Sequence, residues 1–169
     1  SCTRRTTRRL LLLSARAFIV AVGLSFSETM SGSYCFIGSR RGEGSLMFRI
    51  DAFSRNLFET LRTGQVAVTG YVEMEGVAKH AALEGQMTIK PLLARLIRYE
   101  FGFRGDDDST YFYSGCKTIR HLRPKKTWTT LPGSIFDADR QEIATSVTRF
   151  DPKDLIPFLR SYRFPRLSA

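Results

Sequence analysis

Histidine is nearly missing from this chain. His80 and His121 are the only two, and their separation does not suggest a zinc site. Cysteine is equally sparse: Cys2, Cys35 and Cys116 show no metal-ligand spacing, and Cys35 and Cys116 read as a pair or as buried thiols. No Gly-x-Gly-x-x-Gly opens a strand-to-helix turn, and no Gly-x-x-x-x-Gly-Lys-Ser/Thr phosphate loop occurs, which excludes nucleotide binding by the usual helix-terminus route. Gly-x-Ser-x-Gly is absent too, so there is no hydrolase nucleophile elbow. Nor does any stretch supply the ~20 clean apolar residues of a membrane-spanning helix. No complete catalytic set, metal site or cofactor site is therefore expected.

The charge, by contrast, is large: 26 basic side chains against 16 acidic, a net of +10. Residues 1–24 hold Arg4, Arg5, Arg8, Arg9 and Arg16 and no acid, which leaves 21 basic against 16 acidic beyond them, a net of +5. Half the excess belongs to this leader, and with it most of the case for nucleic acid. Thr7-Arg8-Arg9-Leu10-Leu11-Leu12 resembles a twin-arginine export pattern, with small residues at Ala21-Val22-Gly23 for cleavage. Arg16 interrupts the apolar run, where a guanidinium is costly. The alternatives are a disordered arm or sequence upstream of a start at Met30, and a cytoplasmic location is favoured by a narrow margin. Residues 1–24 are set apart from a single domain over 25–164, with 165–169 as a tail.

From Leu24 onward the period is two. Phe26, Glu28, Met30, Gly32, Tyr34 and Phe36 alternate with Ser25, Ser27, Thr29, Ser31 and Ser33, as one packed strand face requires. Gly38 to Gly44 reads as a turn and Leu46–Asp51 as the next strand. Ser54 starts a short helix with Leu57, Phe58 and Leu61 on one face and Gly64 as its stop. Strands follow at Gln65–Met74, Ala81–Ile89, Leu96–Arg104, Thr110–Ile119, Thr127–Phe136 and Glu142–Phe150, with turns at Gly76, Gly105–Ser109 and Asp137–Arg140. Asp151-Pro152-Lys153-Asp154 starts a second short helix, carrying Leu155, Ile156, Phe158, Leu159 and Tyr162. The fold expected is mainly β, an antiparallel up-and-down barrel or split sandwich of about eight strands with two short helices.

Two groups of residues offer binding chemistry. Tyr99, Phe101, Phe103, Tyr111, Phe112 and Tyr113 gather aromatics on one hairpin. Core packing explains them, yet in a small barrel Tyr99, Phe101, Phe103, Tyr111 and Tyr113 could line a cavity for one apolar ligand. Lys117, Arg120, Arg123, Lys125, Lys126 and Trp128 form a basic run beside an indole, which suits an anionic lipid surface, a nucleic-acid backbone or simply a solvated hairpin end. Asp106-Asp107-Asp108 has the charge for a hard cation but not the alternating ligands of a calcium loop, and reads as a solvated turn. His121 lies among cations, and His80 has no evident partner.

Several segments, taken in order, carry a resemblance. They are Phe26-Ser27-Glu28-Thr29-Met30-Ser31-Gly32, Thr69-Gly70-Tyr71-Val72, Arg98-Tyr99-Glu100-Phe101, Gly115-Cys116-Lys117-Thr118-Ile119, Trp128-Thr129-Thr130-Leu131, and Asp154-Leu155 through Ser161-Tyr162-Arg163. Together they resemble the accessory β-domain of multidomain proteins related to cholesterol oxidase, in the glucose-methanol-choline flavin oxidoreductase family. The flavin-binding region of that family is not in this chain, so no oxidase active site is carried over. Pro124-Lys125-Lys126 departs from the family pattern before the Trp-Thr-Thr motif. What the resemblance implies is association with sterol or lipid oxidation, beside a flavin oxidoreductase or a lipid hydrolase. Three readings follow: a non-catalytic docking module, a barrel carrying an apolar ligand such as a lipid or sterol, or a small enzyme in which at least two of Glu28, Tyr34, His80 and His121 converge.

Overall fold

The computed structural model describes residues 24–39, 42–54, 60, 62–90, 96–118 and 129–150. They form eight strands: β1 Leu24–Phe36, β2 Gly44–Ser54, β3 Gln65–Met74, β4 Ala78–Lys90, β5 Leu96–Arg104, β6 Thr110–Thr118, β7 Thr130–Phe136 and β8 Glu142–Phe150. Each strand pairs antiparallel with the next. β8 then returns to β1 through the register Met30↔Phe150 to Phe36↔Ala144, so the sheet closes into a barrel. Closure, rather than a split sandwich, satisfies the edge groups of the first and last strands. The bounds read from alternation for β3, β5 and β8 are those observed, whereas β4 begins earlier, at Ala78, because the Gly76 turn is tight.

Among the described residues no helix forms an element. The helix expected from Ser54 falls mostly outside them, but its stop is visible. Gly64 donates its N–H to the Thr60 carbonyl at 2.7 Å and has φ 72°, a conformation that suits glycine. The helix expected from Asp151, and the leader up to residue 23, lie outside the described residues.

The period of two sorts side chains by face. Met30, Leu46, Phe48, Ile50, Val66, Val72, Leu83, Met87, Leu131 and Ile135 are buried in the barrel interior, while the alternate positions on the same strands are mostly exposed or half-buried. Phe48, Phe101 and Tyr113 meet in the middle, with ring centroids 4.8–5.1 Å apart. Tyr113 also lies across Gly115 and Gly133, which face each other on β6 and β7, so one aromatic ring covers two positions that lack side chains.

The two rims differ. At one, β1–β2, β3–β4, β5–β6 and β7–β8 are joined by short links. In the β5–β6 link the three carboxylates serve separate tasks: Asp106 accepts from the Lys79 N–H, Asp107 from the Ser109 N–H and hydroxyl, and Asp108 faces Arg104 at 3.8 Å. The donors of Ser109 hold the Asp107 carboxyl below its ordinary range. In the β7–β8 link, Asp137 Oδ1 accepts the N–H groups of Asp139 and Gln141, and Arg140 is forced to φ 63°. The ladder is uneven as well. β1 and β2 pair at eleven positions, β6 and β7 at four, from Phe112↔Phe136 to Gly115↔Gly133. The shorter ladder stops one residue from Pro132, which has no N–H to give.

Candidate functional site

Tyr99, Phe101, Phe103 and Tyr113 all point inward and are buried. Tyr111 is half-buried near the short-link rim, where its ring stacks on Phe103 at 5.5 Å and its hydroxyl reaches Asp107 at 3.4 Å. Ring contacts run from Tyr111 through Phe103 and Phe101 to Tyr113, while Tyr99 turns to Glu28 and Lys117. Burial pushes the Tyr113 phenol up to about 12, against the pull of the nearby Ser146 and Thr148 hydroxyls. Those hydroxyls face the carbonyls of Gly133 and Leu131, and the Tyr113 hydroxyl makes no hydrogen bond of ordinary geometry.

Lys117 corrects its expected place on an anionic-surface patch. It is 5% exposed, inside the barrel, because β6 points Tyr113, Gly115 and Lys117 inward by strand parity. Its ammonium donates to Glu28 Oε1 at 2.9 Å, lies 5.1 Å from the centre of the Tyr99 ring and approaches Met30 Sδ at 3.9 Å. Tyr99 donates its hydroxyl to the other carboxylate oxygen, Glu28 Oε2, at 2.8 Å. Burial raises the Tyr99 pKa well above 10, and the adjacent Glu28 charge raises it further. An acid, a base and a phenol are thus mutually satisfied across the lumen between β1 and the β5–β6 hairpin. Arg120, Arg123, Lys125, Lys126 and Trp128 lie outside the described residues.

The residues named for an unrecognised enzyme separate. Glu28 is held by Lys117 and Tyr99, and the Tyr34 hydroxyl donates to the Glu75 carbonyl at 2.5 Å. His80 stands on the exterior, stacked on Tyr71 at 4.0 Å and 3.0 Å from Glu73 Oε1, a partner that the β3–β4 pairing brings across the hairpin. His121 is outside the described residues. No two of the described three meet.

What sequence reasoning passed over lies on the outer wall. A groove of about 630 Å³ runs over β4, β5, β6, the end of β7 and the β7–β8 link. Gly85, Gly102 and Ser114 contribute little or no side chain to it. Glu84, Gln86 and Glu100 line it from β4 and β5, and Phe112, Phe136 and Arg140 from β6, β7 and the link. The Arg140 guanidinium lies 3.6 Å from the centre of the Phe112 ring. Among the described residues no ion pair joins Arg140 to Glu84 or Glu100, and no protein hydrogen bond takes up any of these three side chains. One signal was available: Phe112 is the aromatic of its hairpin that falls on the outward parity. No protein-family model, curated protein or solved structure matches this chain.

Proposed function

We propose that this chain is a non-catalytic binding or docking module, associated with lipid or sterol and acting beside a flavin oxidoreductase or a lipid hydrolase. One contrast carries the reading. The charged groups inside the barrel, Glu28 and Lys117, are bonded to each other and Glu28 also to Tyr99, whereas Glu84, Glu100 and Arg140 in the outer groove have no ion-pair or hydrogen-bond partner among the described residues. A group that must take up or release a proton during a reaction needs access to a substrate, and the interior set faces only other side chains. The groove, with its mixed polar and aromatic lining, is the shape of a recognition surface. The tie to lipid and to an oxidoreductase rests on the ordered sequence segments described above.

The deciding measurement pairs affinity purification of the full chain with a binding screen over sterols and phospholipids. Recovery of a flavin oxidoreductase or lipid hydrolase, or saturable binding of an amphiphile, is the expected result. A chain that retains neither class of protein and none of the lipids sinks the reading. A second reading, an apolar ligand inside the barrel, draws on the Tyr113 hydroxyl, which is buried without a hydrogen-bond partner. It requires the rings of Phe48, Phe101 and Tyr113 to move apart. A ligand that quenches tyrosine fluorescence in the full chain but not in a Tyr113→Phe variant would favour it.

A further inference from the structure

The outer groove presents two carboxylates and one guanidinium that do not neutralise one another. Glu84 faces Gly102 across the β4–β5 ladder and Gln86 faces Glu100, so both acids stand on the β4–β5 side. Arg140 stands on the opposite side. Its guanidinium is propped on Phe112, with its in-plane N–H groups free of protein acceptors among the described residues. Arg140 takes φ 63° as the fourth residue of its five-residue link, the place that Asp108 fills at φ 64° in the β5–β6 link, so the turn itself carries this side chain back over Phe112.

The sign pattern limits the ligand. A simple anion would meet Arg140 but be repelled by Glu84 and Glu100, and a simple cation would leave Arg140 unmatched. A molecule with both charges on a short frame satisfies each side. Two carboxylates suit an ammonium, including a methylated one, and a guanidinium suits a phosphate. Gly102, without a side chain and with the edge of the Phe112 ring against it, keeps the floor between them low. We propose that this groove binds a zwitterion of the phosphocholine type, its ammonium between Glu84 and Glu100 and its phosphate on Arg140. The proposal rests on the lipid-associated reading above and deepens it. The same chemistry is offered by a free headgroup ester and by a phospholipid surface.

The test titrates phosphocholine into the full chain and follows backbone amide resonances. Saturable shifts at Gly102, Phe112, Ser114 and Arg140 are expected, with choline alone and inorganic phosphate alone binding at least tenfold more weakly. Arg140→Gly should lose at least tenfold in affinity while melting no lower than the parent, because glycine relieves the strained φ. Glu84→Gln with Glu100→Gln should lose a similar factor. A parent chain that fails to bind phosphocholine, or variants that bind it as the parent does, overturns the proposal. Flotation with phosphatidylcholine vesicles identifies the source: co-flotation lost in Arg140→Gly points to a membrane, and binding of the free ester alone to a soluble zwitterion, both consistent with the site. Vesicle binding that survives Arg140→Gly and the double substitution removes the groove from the account and leaves the lipid-associated module standing.

Discussion

Lys117 shows how far one residue's role depends on which way its strand faces. A basic run follows it in sequence from Arg120, yet its ammonium is enclosed with Glu28 and Tyr99. Removing one member of such a pair strands the other charge in a medium that solvates it poorly. Glu28→Gln is therefore expected to cost about 3–5 kcal/mol of folding stability, measured by denaturant unfolding, and Lys117→Met a similar amount. The double substitution Glu28→Met, Lys117→Met should recover most of the loss, since two apolar side chains of similar length need no compensating charge. Additive losses in the double variant would show that the pair is not coupled.

The buried phenols set an alkaline limit. Tyr99 and Tyr113 both titrate above the ordinary phenol value, because burial disfavours the phenolate and, at Tyr99, the Glu28 charge adds to it. In the unfolded chain they ionise near 10. Their neutral forms thus stabilise the fold fully below that pH, and the contribution is lost as pH rises through 10 towards about 12 and above. Phenolate absorbance should show exposed tyrosines titrating first and these two only at higher pH or on unfolding. Six tyrosines titrating together near 10 in the folded chain would contradict this.

At the scale of the element, the weakest ladder is β6–β7, and the glycines facing each other there rely on Tyr113 for cover. Gly133→Val would place methyl groups against the Tyr113 ring, where an added Cβ already meets ring carbon Cζ at 2.6 Å. A loss of about 1–3 kcal/mol is expected, read from the unfolding midpoint. Native-state hydrogen exchange should find β7 opening at lower free energy than β2, whose ladders on both sides are long. Equal protection of the two strands would refute the unequal seam.

The strands were legible because a strand with one dry face writes its alternation into the sequence. Phe26 to Phe36 and Glu142 to Phe150 read directly as β1 and β8. The Glu28–Lys117 contact was not legible: its members are 89 residues apart, and only closure brings β1 opposite β6. The early part of β4 was missed because Ala78, Lys79 and His80 carry no apolar alternation, and their pairing depends on the turn before them. The outer groove escaped for a related reason. Arg140 reads as one more polar turn residue until the register places it over Phe112.

At the scale of the whole molecule, an even number of strands sets the beginning of β1 and the end of β8 towards the same rim, with Phe150 paired to Met30 and Leu24–Thr29 reaching further along β2. Whatever is joined to either end of the barrel emerges at that pole, and the rim of short links faces away from it. This arrangement also sets the response to tension. Pulling the two ends apart loads the end pairs, Leu24↔Ser54 on β2 and Met30↔Phe150 on β8, before those behind them, so bonds part in succession like a zip. A barrel that closure leaves without a free edge is, along this one direction, easy to unfasten.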